Sequence, residues 1–152
     1  MRVTAKVDYA VRASIELAAA EPGVPTKGDN ISAAQEIPVK FLENILAELK
    51  RHGLVSSRRG ADGGYWLARP AASITVADLI RAVEGPLANV RGMQPQEASF
   101  TGSAVPLQRM WIALRASMRG VLEHVTLADL VAGQLPPKID ELAASDDAWS
   151  PR

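Results

Sequence analysis

Cysteine is absent from the 152 residues, and histidine occurs only as His52 and His124. The first absence removes disulfides, thiolate metal sites, cysteine-ligated iron–sulfur clusters and cysteine nucleophiles together. The second removes a histidine-rich metal centre, and the carboxylates are too scattered around His124 for a metal sensor. No segment approaches the ~20 apolar residues of a membrane span. Arg2, Lys6 and Asp8 open the chain with no long apolar run behind them, which speaks against a signal peptide. A cytoplasmic protein with no membrane partner is expected. No Gly-x-Ser-x-Gly elbow, phosphate loop or dinucleotide fingerprint occurs. Asp78 and Glu84 have no paired carboxylate for acid–base work. The sequence therefore predicts no enzyme, no catalytic residue, no cofactor and no metal site.

What is present is a foldable composition, 47% apolar and 22% charged, enough for one domain or a small domain plus an oligomerisation element. The net charge of zero conceals an uneven distribution. Residues 1–70 hold ten basic against eight acidic side chains, and residues 71–152 hold seven against nine. Residues 40–59 concentrate Lys40, Lys50, Arg51, Arg58 and Arg59 against Glu43 and Glu48. A locally basic face on a neutral chain suits a polyanion without general stickiness.

Apolar positions at helical spacing predict a first helix over about Thr4–Ala20, ended by Glu21-Pro22-Gly23. A short helix is predicted over Ser32–Gln35, capped by Ser32 and anchored by Ile31. The next helix starts with Pro38 in its first turn and carries Phe41, Leu42, Ile45, Leu46 and Leu49 as one apolar stripe. Gly53 ends it. Two helices joined by Glu36-Ile37, the second with a polar outer face, suggest a helix-turn-helix. The period then becomes extended: Leu54–Arg58 and Tyr65–Ala68 read as strands around a turn holding Gly60, Gly63 and Gly64. That is the winged form of the motif.

Further along, Thr75-x-x-Asp78 caps a helix bearing Val76, Leu79, Ile80 and Val83, and Thr126-x-x-Asp129 caps a last short one. Residues 87–104 have no period and read as a loop. From Val105 to Val125, Leu107, Met110, Trp111, Leu114, Met118, Val121 and Leu122 share one helical face about 30 Å long. That length exceeds what a small wing domain needs, so the face is expected to pair with a second copy. The tail from Pro136 holds Lys138 and Arg152 against four acids and reads as frayed. Four segments follow: residues 1–86 (winged helix-turn-helix), 87–104 (loop), 105–133 (dimerisation and closing helices) and 134–152 (flexible tail).

Arg58-Arg59-Gly60-x-x-Gly63-Gly64-Tyr65 is the sharpest local signal. Glycines let a hairpin tip approach a nucleic-acid backbone, and an arginine at the tip can enter a minor groove. Pro38, Val39, Lys40, Glu43 and Asn44 sit where a recognition helix would meet base edges. Asparagine pairs bidentately with adenine, and glutamate accepts from cytosine. The competing reading of each is a solvated helix face or an ordinary glycine turn.

These residues carry a likeness. Met1-Arg2-Val3-Thr4-x-Lys6-x-x-Tyr9-Ala10-Val11 resembles the opening of the Rrf-type (IscR/NsrR/CymR-like) winged-helix transcriptional regulators. So do Ile37-Pro38-x-x-Phe41-Leu42-Glu43-x-Ile45-Leu46, the stretch from Gly53 to Tyr65, and Ile74-Thr75-Val76 with Ala82-Val83-Glu84-Gly85. Trp111-x-x-Leu114 and Val125–Leu130 look like the dimerisation and closing helices. The likeness spans residues 1–90 and 105–131. It implies a mainly α homodimer that binds double-stranded DNA at a pseudo-palindromic operator. The Pro38 helix would lie in the major groove, Arg59 in the minor groove, and Arg2 and Tyr9 at phosphates. Iron–sulfur members carry three cysteines before the long helix. Here residues 87–105 have none, Val105 stands where the last would be, and Gln108 replaces a histidine found in some members. The resemblance to members without a cluster implies a response to a protein partner, a small-molecule effector or a signal of another, unidentified kind. A winged dimer that serves only as a protein-interaction module is the alternative.

Overall fold

The computed structural model describes residues 2–151; Met1 of the opening motif and Arg152 of the tail lie outside them. Thr4, in extended conformation, accepts from the Val7 N–H and starts α1 (Ala5–Ala19). This helix buries Val7, Ala10, Ala13 and Leu17. The small Ala10 and Ala13 side chains let neighbouring helices approach closely, and the buried Ser14 hydroxyl is satisfied by donating 2.7 Å to the Ala10 carbonyl. α2 (Gly28–Gln35) begins earlier than predicted, and Ser32 lies inside it. Its start is fixed by Thr26, which pairs with Tyr65 and ends the extended segment. The Ser32 hydroxyl donates instead to the Ile37 carbonyl across the following turn.

That turn runs through Glu36 at φ 53°, and the Ile37 N–H returns 3.1 Å to the Ser32 carbonyl. Pro38 then caps α3 (Val39–Arg51) from outside the helix, one position earlier than the predicted first turn. Leu42, Ile45, Leu46 and Leu49 are almost wholly buried. Each is worth about 1.5–3 kcal/mol relative to exposure. Phe41, predicted to share their stripe, is 47% exposed: at helical spacing it falls on the edge of the stripe, where an aromatic partner on α1 takes it up.

Gly53 at φ 72° turns the chain into β1 (Val55–Arg58), which pairs antiparallel with β2 (Gly64–Leu67) in a register placing Arg58 opposite Gly64. α4 (Val76–Glu84) and α6 (Leu127–Ala132) both start with reciprocal capping boxes, Thr75 with Asp78 and Thr126 with Asp129. Their entries are bridged: Val76 N–H donates 2.9 Å to the Val125 carbonyl, and Leu127 N–H donates 3.0 Å to the Ile74 carbonyl. Leu127 thereby joins the core formed by α1, α3 and α4, so the core extends past residue 86.

Between them, α5 (Leu107–Leu122) has 16 residues, about 24 Å at 1.5 Å per residue. It is shorter than the predicted span because Pro106 caps its start and Val125 leaves to bridge Val76. Where the sequence suggests a frayed tail, the structure has α7 (Pro137–Ala144), with Ile139 buried and Pro137 at its first position. The architecture is mainly helical with a two-stranded wing. No helix among the described residues is long and apolar enough to cross a membrane.

Candidate nucleic-acid interface

The start of α3 stands out from the body. Pro38, Val39, Lys40, Phe41, Glu43 and Asn44 are all exposed. Phe41 meets Tyr9 of α1 edge-on with ring centroids 5.6 Å apart, and the Arg12 guanidinium lies 5.0 Å from the Tyr9 ring. Arg12 also donates 2.6 Å to the Gln35 carbonyl and pairs with Asp8 at 2.8 Å. A single side chain thus ties α1 to the turn that aims α3. Arg12 was not singled out in the sequence; its place one helical turn from Tyr9 is the signal that could have marked it. Lys6, paired with Glu48 at 2.9 Å, fixes α1 to the far end of α3.

The wing is held in place by backbone. Thr26 and Tyr65 exchange two hydrogen bonds of 2.8 Å, which attach β2 to the segment entering α2. This contact leaves no room for a side chain at Gly64: a Cβ there would lie 2.6 Å from the Thr26 carbonyl oxygen, at φ 149°. At Gly63 it would lie 2.2 Å from the Arg58 carbonyl oxygen. The tip is therefore folded tightly against its own strand. Arg58 donates 3.0 Å to the Asp62 carbonyl and closes the turn. Arg59 is exposed and has no hydrogen-bond or ion-pair partner among the described residues.

Between wing and α3 lies an open groove of about 440 Å³. Glu43, Ala47 and Lys50 line one wall and Arg58, Arg59 and Gly60 the other, with Lys27 at one end. Four cations face one carboxylate, so the groove is electropositive. Lys40 continues the Glu43–Ala47–Lys50 row by one helical turn. The structure brings together Glu43, Arg58, Arg59 and Gly60 from the predicted set and adds Lys27 and Lys50. Pro38, Val39, Lys40 and Asn44 are exposed outside the groove lining on the first turns of α3, where Tyr9 meets Phe41. Arg2 does not join either group. It lines a separate cleft with Ile80, Glu84, Met118 and Leu122.

The face expected to pair with a second copy is open in the single chain. No residue of α5 is buried; Met110 is 45% exposed, while Leu107, Trp111, Leu114, Met118, Val121 and Leu122 are half-buried. At the other end of α5, Glu123 accepts from Arg81 of α4 and from Arg119 at 3.0 Å. The Arg81 hydrogen bond holds its carboxyl below the usual glutamate range against the opposing effect of desolvation, and Arg119 adds to the lowering. Asp129 is lowered likewise, by the Thr126 backbone N–H and then by its hydroxyl.

A family model described as "Rrf2: Iron-dependent Transcriptional regulator" matches residues 3–133. An HTH-type transcriptional regulator of Mycobacterium tuberculosis (strain H37Rv) is 48% identical over 143 residues, covering 94% of this chain and 89% of the relative. The HTH-type transcriptional regulator CymR of Bacillus subtilis is 34% identical over 133 residues, with 87% and 91% covered. The solved structure of CymR, titled the global cysteine regulator of B. subtilis, superposes with a TM-score of 0.74 at 32% identity, covering 88% of this chain and 98% of that one. The structure of T. potens IscR superposes at 0.69 with 32% identity, covering 95% and 92%.

Proposed function

The chain belongs to the Rrf2 family of transcriptional regulators, which are not enzymes, and from that premise we propose that it works in the cytoplasm as a homodimer on a pseudo-palindromic operator. α3 lies in the major groove with Glu43 and Asn44 at base edges and Lys40 at a phosphate. Arg59 reaches the minor groove from the wing, and Lys27, Lys50 and Arg58 meet phosphates. Tyr9 and Arg2 are further phosphate contacts, Arg2 from the more distant cleft. The half-buried apolar face of α5, with Met110 exposed on it, is the dimer seam. It sets two half-sites about 34 Å or a multiple apart. The observation that carries this reading is the groove between α3 and the wing, four cations around a single carboxylate with Arg59 unpaired.

The family model's description invokes iron, and the residues present do not fit an iron–sulfur cluster. The chain has no cysteine. Val105 offers no donor atom, and the Gln108 amide is used to donate 2.7 Å to the Ala98 carbonyl. Among the described residues no three His, Asp or Glu side chains gather as a metal site. Regulation in this member therefore proceeds without a cysteine-ligated cluster.

Fluorescence anisotropy of the chain with duplexes from its own promoter region, at two salt concentrations, tests the proposal. Tight binding to one duplex, weakening steeply with salt, is expected. Equal weak binding to all duplexes, or none, would favour a winged dimer that binds only proteins.

A further inference from the structure

On a side of the molecule that shares no lining residue with the α3–wing groove, α4, the segment after it and α5 enclose a cleft of about 570 Å³. Three guanidinium groups border it: Arg81 from α4, and Arg115 and Arg119 one turn apart on α5. No carboxylate is among its lining residues. Glu123, which pairs with Arg81 and Arg119, and Asp78, 4.0 Å from Arg81, lie outside the lining, and Arg115 is held by the neutral Gln96 side chain. The wall opposite the arginines is fixed. Gln108 donates 3.1 Å to the Gln96 carbonyl and 2.7 Å to the Ala98 carbonyl, clamping the 87–104 segment onto α5.

A second pocket of about 310 Å³ adjoins it, sharing Leu87 and Ala88. Its walls are mostly apolar: Val90 and Pro95, with Trp111 and Leu114 from the α5 face assigned to the seam. A solvated basic surface would show arginines pointing apart on a convex face. Here three arginines from two helices line one concavity that shares Leu87 and Ala88 with an indole-lined pocket. Forked donors recognise carboxylate and phosphate oxygens bidentately, and an apolar aromatic pocket takes the body that carries them.

We propose that these two cavities form one site for a small organic anion, a phosphate or carboxylate attached to an aromatic or branched apolar body. Its oxygens compete with Glu123 for Arg81 and Arg119, the residues that join α4 to α5. The site thereby reaches the junction between the winged half and the seam; this regulatory consequence rests on the DNA-binding reading, whereas binding itself does not.

Calorimetric titration of the full chain with phenyl phosphate, in the absence of DNA, is the test. One saturable site per chain is expected, with inorganic phosphate binding about tenfold or more weakly because it forfeits the apolar pocket. Arg115→Gln should weaken phenyl phosphate about tenfold or more, and Arg81→Gln is a second variant with the same expectation. Arg109→Gln, on α5 but outside the cleft, should leave binding unchanged. No saturable heat at millimolar ligand, or undiminished binding in both cleft variants, would overturn the proposal. Loss of binding on substituting Arg58 and Arg59 would overturn it too, by moving the anion to the wing groove. Equal affinity for the two phosphates would remove the apolar half. Failure of any of these leaves the duplex measurements untouched, so the two readings fall separately.

Discussion

Lys50 Nζ, on the last turn of α3, donates to the Ser57 hydroxyl on β1 across 2.7 Å. The contact joins the two walls of the basic groove. Together with the double Thr26–Tyr65 hydrogen bond it sets the angle between helix and wing before any duplex arrives. Preorganisation of this kind reduces the ordering cost of binding.

Arg59→Ala should weaken operator binding by roughly 1–3 kcal/mol and leave the thermal midpoint unchanged, because the side chain makes no hydrogen bond or ion pair among the described residues. Anisotropy titration and a melting curve check both halves. An unaltered affinity would remove the wing tip from the mechanism.

Asn44→Ala and Lys40→Ala should separate specificity from affinity. Losing an asparagine–adenine pair relaxes discrimination at one position by about 1–3 kcal/mol. Losing a phosphate contact lowers affinity for all duplexes and reduces the salt slope by about 1. Selection from a random duplex library distinguishes them, and an unchanged preferred site in both variants would count against α3 as the reading helix.

Gly64→Ala should cost at least about 1–3 kcal/mol of stability, through the left-handed backbone and the collision with the Thr26 carbonyl. Chemical denaturation measures the loss. Hydrogen exchange should show the Tyr65 amide losing protection first, since its partner is the oxygen displaced.

Met110→Glu should raise the dimer dissociation constant about thirtyfold or more, as expected when an interface anchor worth ~2 kcal/mol is lost. Helical content should be retained, because Met110 is largely exposed in the single chain. Sedimentation of wild type and variant decides this; an equally stable dimer would place the seam elsewhere.

Acid should loosen the α4–α5 and α6 junctions. Glu123 and Asp129 have lowered pKa values in the fold, so their contribution is complete above the ordinary carboxylate range and is lost as pH falls through the lowered values. Glu123→Gln should flatten part of the decline of melting temperature with acidity. A variant with the wild-type pH profile would show that the Arg81–Glu123–Arg119 cluster carries no stability.

The helical core was legible because its signals are local. Leu42, Ile45, Leu46 and Leu49 repeat at helical spacing, and both Thr-x-x-Asp boxes are written in four consecutive residues. The glycines at 60, 63 and 64 marked the wing for the same reason. What escaped depends on distant partners. Phe41 carries the hydropathy of a core residue, and only Tyr9 on another helix shows where that edge residue packs. The start of α2 is set by Thr26 meeting Tyr65, 39 positions away. Lys27 and Lys50 enter the groove because the wing folds back beside them. Arg2, adjacent in sequence to α1, lies on another side, since the helix start aims it toward α5.

The shared entry of α4 and α6 gives α5 the mechanics of an arch. Its C-terminal footing stands on the core, because Leu127 is sealed in with Leu42 and Ile45, and its N-terminal footing is the segment after α4, held by Gln108. Such a span cannot swing as a loose arm. A push on its crown from a companion subunit must be transmitted into the block that aims α3, and a fragment cut before Thr126 would leave a leucine-sized void beneath α1.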